Sequence, residues 1–154
     1  MDKIAIKYHP DLIDELCEQH KKLLQHLEFV QRLIKDEKIK QLPLALELFR
    51  GELLEHASKE ILQLYVYLRN SIDKQSDEYN QVKQLRKAMN NVLYKMLTFL
   101  DESHDIDIND LEKDPDAKDK FLKSIQRMID LFSQRVSVEE KVLFPMYQPV
   151  KEAI

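Results

Sequence analysis

Residues 48–68 read LFRGELLEHASKEILQLYVYL, and this stretch decides the fold. Its apolar residues recur at spacings of three and four, which is the period of an amphipathic α-helix. Two polar residues, His56 and Glu60, stand on the same line, which continues to Leu64 and Leu68. The stretch therefore predicts a long helix whose buried face carries an imidazole and a carboxylate one turn apart.

Three other segments show the same spacing. The first helix is predicted over about residues 11–35, with His20 on its apolar line. The third helix follows a short loop, residues 74–78, and the fourth runs to about residue 144. Short connections favour antiparallel neighbours, and a single glycine leaves few positions for the tight turns of a sheet. The sequence predicts an all-α chain, an antiparallel up-and-down four-helix bundle with a short N-terminal arm, forming one domain over residues 1–154.

Two segments outside the four helices also give predictions. The stretch SHDIDINDLEKDPDAKD, residues 103–119, is acidic and has no helical period, so we expect a connector without a helix. Within it, Asp114 and Pro115 suit the N-cap and the first position of the fourth helix. Residues 2–9 alternate weakly between apolar and polar and predict an extended arm.

Composition narrows the classes of function. Lys and Arg number 24 against 28 Asp and Glu, and the net charge of -4 argues against a nucleic-acid partner. No segment has the apolar length of a secretion signal or a membrane span, so we expect a cytoplasmic protein without a membrane partner. Cys17 is the single cysteine and is predicted to be a small buried side chain. A nucleophilic pair of Cys17 with His20 stays the alternative to our prediction that the chain is not an enzyme.

The candidate chemistry lies where polar residues interrupt the apolar lines. Buried polar groups must be hydrogen-bonded, paired or bound to metal, because an unsatisfied one costs about 1–3 kcal/mol. Such residues are His20, His56, Glu60, Arg135 and Glu139. We expect these five side chains to point inward to one shared place in the bundle.

Three segments give the chain a family resemblance. EQHKKLLQHL (residues 18–27), residues 48–68 and FSQRVSVEEKVLFPMY (residues 132–147) resemble the first, second and fourth helices of hemerythrin-like (HHE cation-binding) proteins. The resemblance implies a non-haem di-iron centre in the bundle core and a function in oxygen binding, iron or oxygen sensing, or metal handling. Carried over residue by residue, it implies that His20, His56, Glu60 and Glu139 are the metal ligands.

Two departures from the family pattern leave alternatives open. The fourth helix has Arg135 where the family has a histidine, and the third helix has no histidine at the family's positions. In the first interpretation, the chain is a binding or sensing protein of bacterial type. Its partial site holds one iron or other divalent ion, or none, and has dioxygen as a further ligand. In the second, a core charge network of Arg135, Glu60 and Glu139 replaces the metal. The chain is then a regulatory module that binds a protein such as a sigma factor. The oligomeric state stays open.

Overall fold

A computed structural model describes residues 7–150, and all the regular secondary structure in that range is helical. The predicted all-α class is confirmed. The helices are α1 (Leu12–Lys35), α2 (Leu42–Lys59), α3 (Val66–Ser71), α4 (Asp77–His104), α5 (Ile108–Lys113) and α6 (Pro115–Val138). No helix in the described range is both long and apolar enough to cross a membrane. Most of the predicted N-terminal arm lies outside the described residues.

Two π-helical segments extend the long helices. The first π segment, Glu60–Tyr65, joins α2 to α3 without a break, and the second, Glu139–Leu143, continues α6. A 3-10 turn, Phe144–Met146, follows the second segment, and another, Ile39–Gln41, precedes α2. A π-helical turn inserts one extra residue and therefore changes which side chains face inward beyond it.

The long helices pack side by side as a bundle. Helix α1 contacts α2 and α6, and α4 contacts the same two helices from the opposite side. Each long helix therefore has its neighbours in chain order beside it, with the first and last also in contact. At one end of the bundle, helix α5 packs against α6 and against the 3-10 turn Ile39–Gln41.

The acidic connector differs from its prediction. It contains the short helix α5, which begins where the Asp107 side chain accepts a hydrogen bond from the Asn109 backbone at 2.9 Å. Leu111 anchors this helix because its side chain is buried in the core. The predicted start of α6 is present, since Asp114 accepts from the Asp116 backbone at 3.0 Å and Pro115 is the first helical residue.

The apolar core consists of two separate clusters, one toward each end of the bundle. Along α1, Leu16 belongs to one cluster and Leu23 to the other. The same division occurs between Leu53 and Leu64 on the second long helix, and between Val136 and Leu143 on the last. All three dividing points fall on the polar residues identified in the sequence, so a polar layer separates the two halves of the core.

Candidate metal centre

The polar layer brings four predicted side chains together. His20 Nε2 lies 3.4 Å from Glu139 Oε1 and 3.7 Å from Glu60 Oε2, and His56 Nε2 lies 2.8 Å from Glu60 Oε2. His20, His56 and Glu60 each offer a ligand atom, and these atoms lie within 4.8 Å of one another. The three form a group that can hold a metal ion, and Glu139 adjoins it.

Both carboxylates begin a π-helical segment. Glu60 is the first residue of the first π segment, and Glu139 is the first residue of the second. Single π-helical turns are rare and frequently occur at functional sites. Here the inserted residue lets two side chains face the polar layer from one helix, since Tyr65, five positions after Glu60, donates its hydroxyl to Glu139 Oε2 at 3.2 Å.

The four side chains are buried, and several of their possible metal-ligand atoms make no hydrogen bond. Each is at most 2% exposed. Among the described residues, His20 Nε2, His56 Nε2, both Glu60 oxygens and Glu139 Oε1 are buried without a hydrogen bond of acceptable geometry. Leaving such groups unsatisfied is costly, and a shared cation would satisfy all of them. Two atoms bound to one ion at ~2.1 Å lie roughly 3 Å apart, which suits the spacing of His56 and Glu60.

The two imidazoles are oriented through their other nitrogens. His20 Nδ1 lies 3.2 Å from Glu140 Oε1, and His56 Nδ1 lies 2.7 Å from Gln19 Oε1. A carboxylate accepts hydrogen bonds and cannot donate them when ionised, so the Glu140 contact places the proton of neutral His20 on Nδ1. Each Nε2 then offers its lone pair to the site, which is the usual arrangement of metal-binding histidines.

Aromatic side chains surround His20 and limit the access of water. The His20 ring stacks on Phe144 at 5.6 Å between centroids and meets Phe132 edge-on at 6.0 Å. Burial by itself lowers the pKa of His20, but Glu139 and Glu60 outweigh it and raise this pKa to about 10. The raised pKa favours the doubly protonated form of His20 in the ion-free protein, and a cation would take the place of the second proton.

Glu60 and Glu139 differ in their pKa. Burial acts to raise the pKa of both carboxyl groups. Contacts with Glu139, His20 and His56 hold the pKa of Glu60 below its usual value, whereas the neighbouring charge of Glu60 raises that of Glu139. Two adjacent buried carboxylates repel each other when both are ionised, and this repulsion favours the protonated form of Glu139.

Arg135 does not pair with Glu60 and Glu139, as the predicted core charge network required. It is half-buried, and within the described residues it makes no ion pair with Glu60 or Glu139. Its Nε and Nη2 atoms are buried and have no hydrogen-bond partner there. The expected direct pairing of Arg135 with both carboxylates is absent because these carboxylates face the two histidines instead.

The residues present fit a metal cation. Helix α4 contributes Val82 to one apolar cluster and Met89 to the other, so its buried side chains on either side of the polar layer are apolar. The available donors are therefore two imidazoles and two carboxylates, a set that suits iron, zinc or manganese. The chemistry of these ligand atoms and their lack of hydrogen bonds both indicate a cation site.

The fold and the site define a helical-bundle protein with a buried histidine–carboxylate cluster, the class in which cations are bound between facing helices. A family model, the Hemerythrin HHE cation binding domain, matches residues 11–147. The chain belongs to this family, as the sequence resemblance indicated. No curated protein and no solved structure gives a significant match.

Sequence reasoning missed three supporting residues. Gln19 and Glu140 stand directly beside His20 and Glu139 in the sequence, so residues adjacent to a candidate ligand were the available signal. Tyr65 gave no such signal, because five positions along an ideal α-helix place a side chain on a different face from Glu60. The π-helical turn, which the spacing of apolar residues did not predict, brings Tyr65 into the layer.

Cys17 lies one turn before His20 and is half-buried. Burial raises the pKa of the Cys17 thiol to about 11, and the negative charge of Glu140 adds to the rise. Because the thiolate is the nucleophile, a pKa raised by about 2 units makes the reactive fraction about a hundredfold smaller at neutral pH. The raised pKa therefore disfavours a Cys17 nucleophile.

We expect the folded protein to react with an aromatic disulfide reagent at pH 8 at least about tenfold more slowly than the urea-unfolded chain. Glu140→Gln should accelerate the reaction because it removes the charge that raises the pKa of Cys17. Stopped-flow absorbance measures both rates. A folded wild-type protein that reacts as fast as the unfolded chain would contradict the raised pKa.

Proposed function

We propose that the chain is a binding protein for a single divalent metal ion, with iron as the first candidate and zinc or manganese as others. His20, His56 and Glu60 would hold the ion, and Glu139 would complete the set. The observation that carries the proposal is the group of buried donor atoms without hydrogen bonds, at most 4.8 Å apart for the first three residues.

Charge balance supports a divalent ion. With both histidines neutral and both carboxylates ionised, the four side chains carry two negative charges, which one divalent cation neutralises. Isolated buried charges are strongly disfavoured, so a neutral occupied site is favourable. A second ion would need further nitrogen ligands, and the described part of α4 offers apolar residues beside the site. We therefore propose one ion and not two.

The proposed function of the site is to bind a metal ion. The protein would use this site to sense metal or dioxygen, and it would do so in the cytoplasm. A bound iron ion would supply a redox-active centre and a position for a small ligand. The chain's own residues exclude water through Phe132 and Phe144, and orient the imidazoles through Gln19 and Glu140. The high pKa of the Cys17 thiol supports the absence of nucleophilic catalysis. We propose that the chain is not an enzyme.

His56→Ala tests the metal site most directly. We expect it to weaken binding of ferrous or zinc ions by about a hundredfold or more, because it removes one ligand and leaves Glu60 without its partner. Protein purified without a nickel column is loaded with the ion under nitrogen and analysed by elemental analysis and competition with a chelator. Circular dichroism checks that the variant is still helical.

His26→Ala is the matched control. His26 is on α1 but lies off the polar layer, where it pairs with Glu52 at 2.8 Å. It should bind the ion as the wild-type protein does. Gln19→Ala should fall between the two variants, with an affinity about tenfold lower, because His56 then loses the group that orients it. Equal metal content in wild-type and His56→Ala protein would remove His56 from the site.

A metal-free regulatory module that binds a protein partner is the second candidate. Three leucines of the second long helix, Leu44, Leu48 and Leu62, are each more than half exposed, and exposed apolar surface favours a partner. In that interpretation an Arg135 network stabilises the core in place of an ion. The present contacts of Arg135 give this candidate less support than the first.

Arg135→Met separates the two candidates. We expect the free energy of unfolding to stay the same or rise by up to about 1–3 kcal/mol, because Arg135 makes no ion pair with either carboxylate and two of its nitrogens are buried without a hydrogen bond. Cation affinity should stay equal or rise. A structural network instead requires a loss of about 3–5 kcal/mol, since it would leave buried carboxylates unpaired. Urea unfolding measures the change, and Arg127→Met, at an exposed position of the same helix, controls for the loss of charge.

A further inference from the structure

A pocket on the surface of the bundle is lined by Tyr65 and by residues of α3 and α4. Its volume is about 360 Å³. Four of the side chains that line it are cations, namely Arg69, Lys83, Arg86 and Lys87, and none is acidic. We call this the basic pocket. Pockets of this size commonly bind small molecules.

The positive charge of the basic pocket is not compensated by the described part of the chain. None of the four cations makes an ion pair within 4.0 Å there, although eight other Lys, Arg and His residues do. This concentration of positive charge occurs in a chain whose net charge is -4. Four cations around one concave surface repel each other, so an anion bound between them is stabilised.

Helical spacing explains why the cations meet. Lys83, Arg86, Lys87 and Asn90 recur at spacings of one, three and four and so lie along one side of α4. Arg69 follows Tyr65 by four residues and faces them from the neighbouring helix. Arg86 is half-buried, and Tyr65 is 2% exposed, so the pocket reaches from exposed lysines down to the core.

We propose that the basic pocket binds a small anion that carries phosphate groups, either a phosphate monoester or a polyphosphate. Arg69 and Arg86 are the principal groups, because the planar guanidinium donates paired hydrogen bonds to phosphate oxygens. Lys83 and Lys87 add charge at the entrance. Tyr79 lines the pocket as well, and Lys83 Nζ lies over its ring, 5.7 Å from the ring centroid.

The basic pocket is distinct from the candidate metal centre. No candidate metal ligand lines it, and its cations would repel a metal ion. Tyr65 separates the two sites, since its ring lines the basic pocket while its hydroxyl donates to Glu139 Oε2. Anion binding therefore does not rest on the proposed metal function, and either can fail without the other.

Pyrophosphate, titrated into the full-length protein at low ionic strength, is the probe. Calorimetry should show saturable binding with one site per chain, and ¹⁵N-resolved NMR should place the largest shifts on α3 and the first half of α4. Arg69→Gln with Arg86→Gln should weaken binding by at least about tenfold, because two charge-assisted contacts are lost. Vesicles with and without a phosphoinositide test whether a lipid headgroup supplies the same phosphate chemistry.

Lys22→Gln with Arg127→Gln is the control, because both residues are exposed, lie on other helices and remove the same two charges. Pocket-specific weakening supports the proposal, whereas equal weakening by both double variants overturns it. Binding to phosphoinositide vesicles that pyrophosphate displaces identifies a lipid as the source, and binding of pyrophosphate alone identifies a free anion. Absence of saturable pyrophosphate binding to the folded wild-type protein also overturns the proposal.

Discussion

The contact between His56 and Glu60, 2.8 Å apart in the middle of the bundle, is the constraint on which the rest of the structure depends. A polar layer lies between the two apolar clusters. Its groups are shielded from water, so each needs a hydrogen bond, an ion pair or a bound ion. His20 from α1 and Glu139 from the last helix meet this pair. The site is therefore also the place where three long helices fix their positions along one another, since a shift of one turn would bury the polar groups against leucines.

The two π-helical segments follow from the same constraint. An α-helix that places Glu60 in the polar layer would turn Tyr65 away from it, and the hydroxyl that donates to Glu139 would be lost. Inserting one residue at each carboxylate disturbs the backbone hydrogen bonds of the helix locally. Both insertions begin at the carboxylates themselves, so the irregular backbone coincides with the candidate metal centre.

The sequence predicted the class of fold and the order of the long helices from apolar spacing, and the family resemblance implied the four candidate ligands. It placed α1 and the start of α6 within a residue or two, since Asp114 and Pro115 are strong local signals. It missed α5, whose single buried residue, Leu111, is too little for a periodic pattern. It also misplaced the partners of Arg135. Which neighbour a long charged side chain meets depends on rotation of the helix about its axis, and residue spacing does not fix that rotation.

The net charge of the chain also gave no sign of the basic pocket, because it sums the charges of all parts of the surface. A value of -4 argues against an extended nucleic-acid surface, but it does not reveal four cations around one pocket that make no ion pair among the described residues. Electrostatic attraction depends on charges within about 10 Å at ordinary salt concentrations, so the local group decides what binds. Tyr65 joins this pocket to the histidine–carboxylate layer. One bundle can thus separate a cation site and an anion site by the width of a side chain, because its core provides the low-dielectric wall between them.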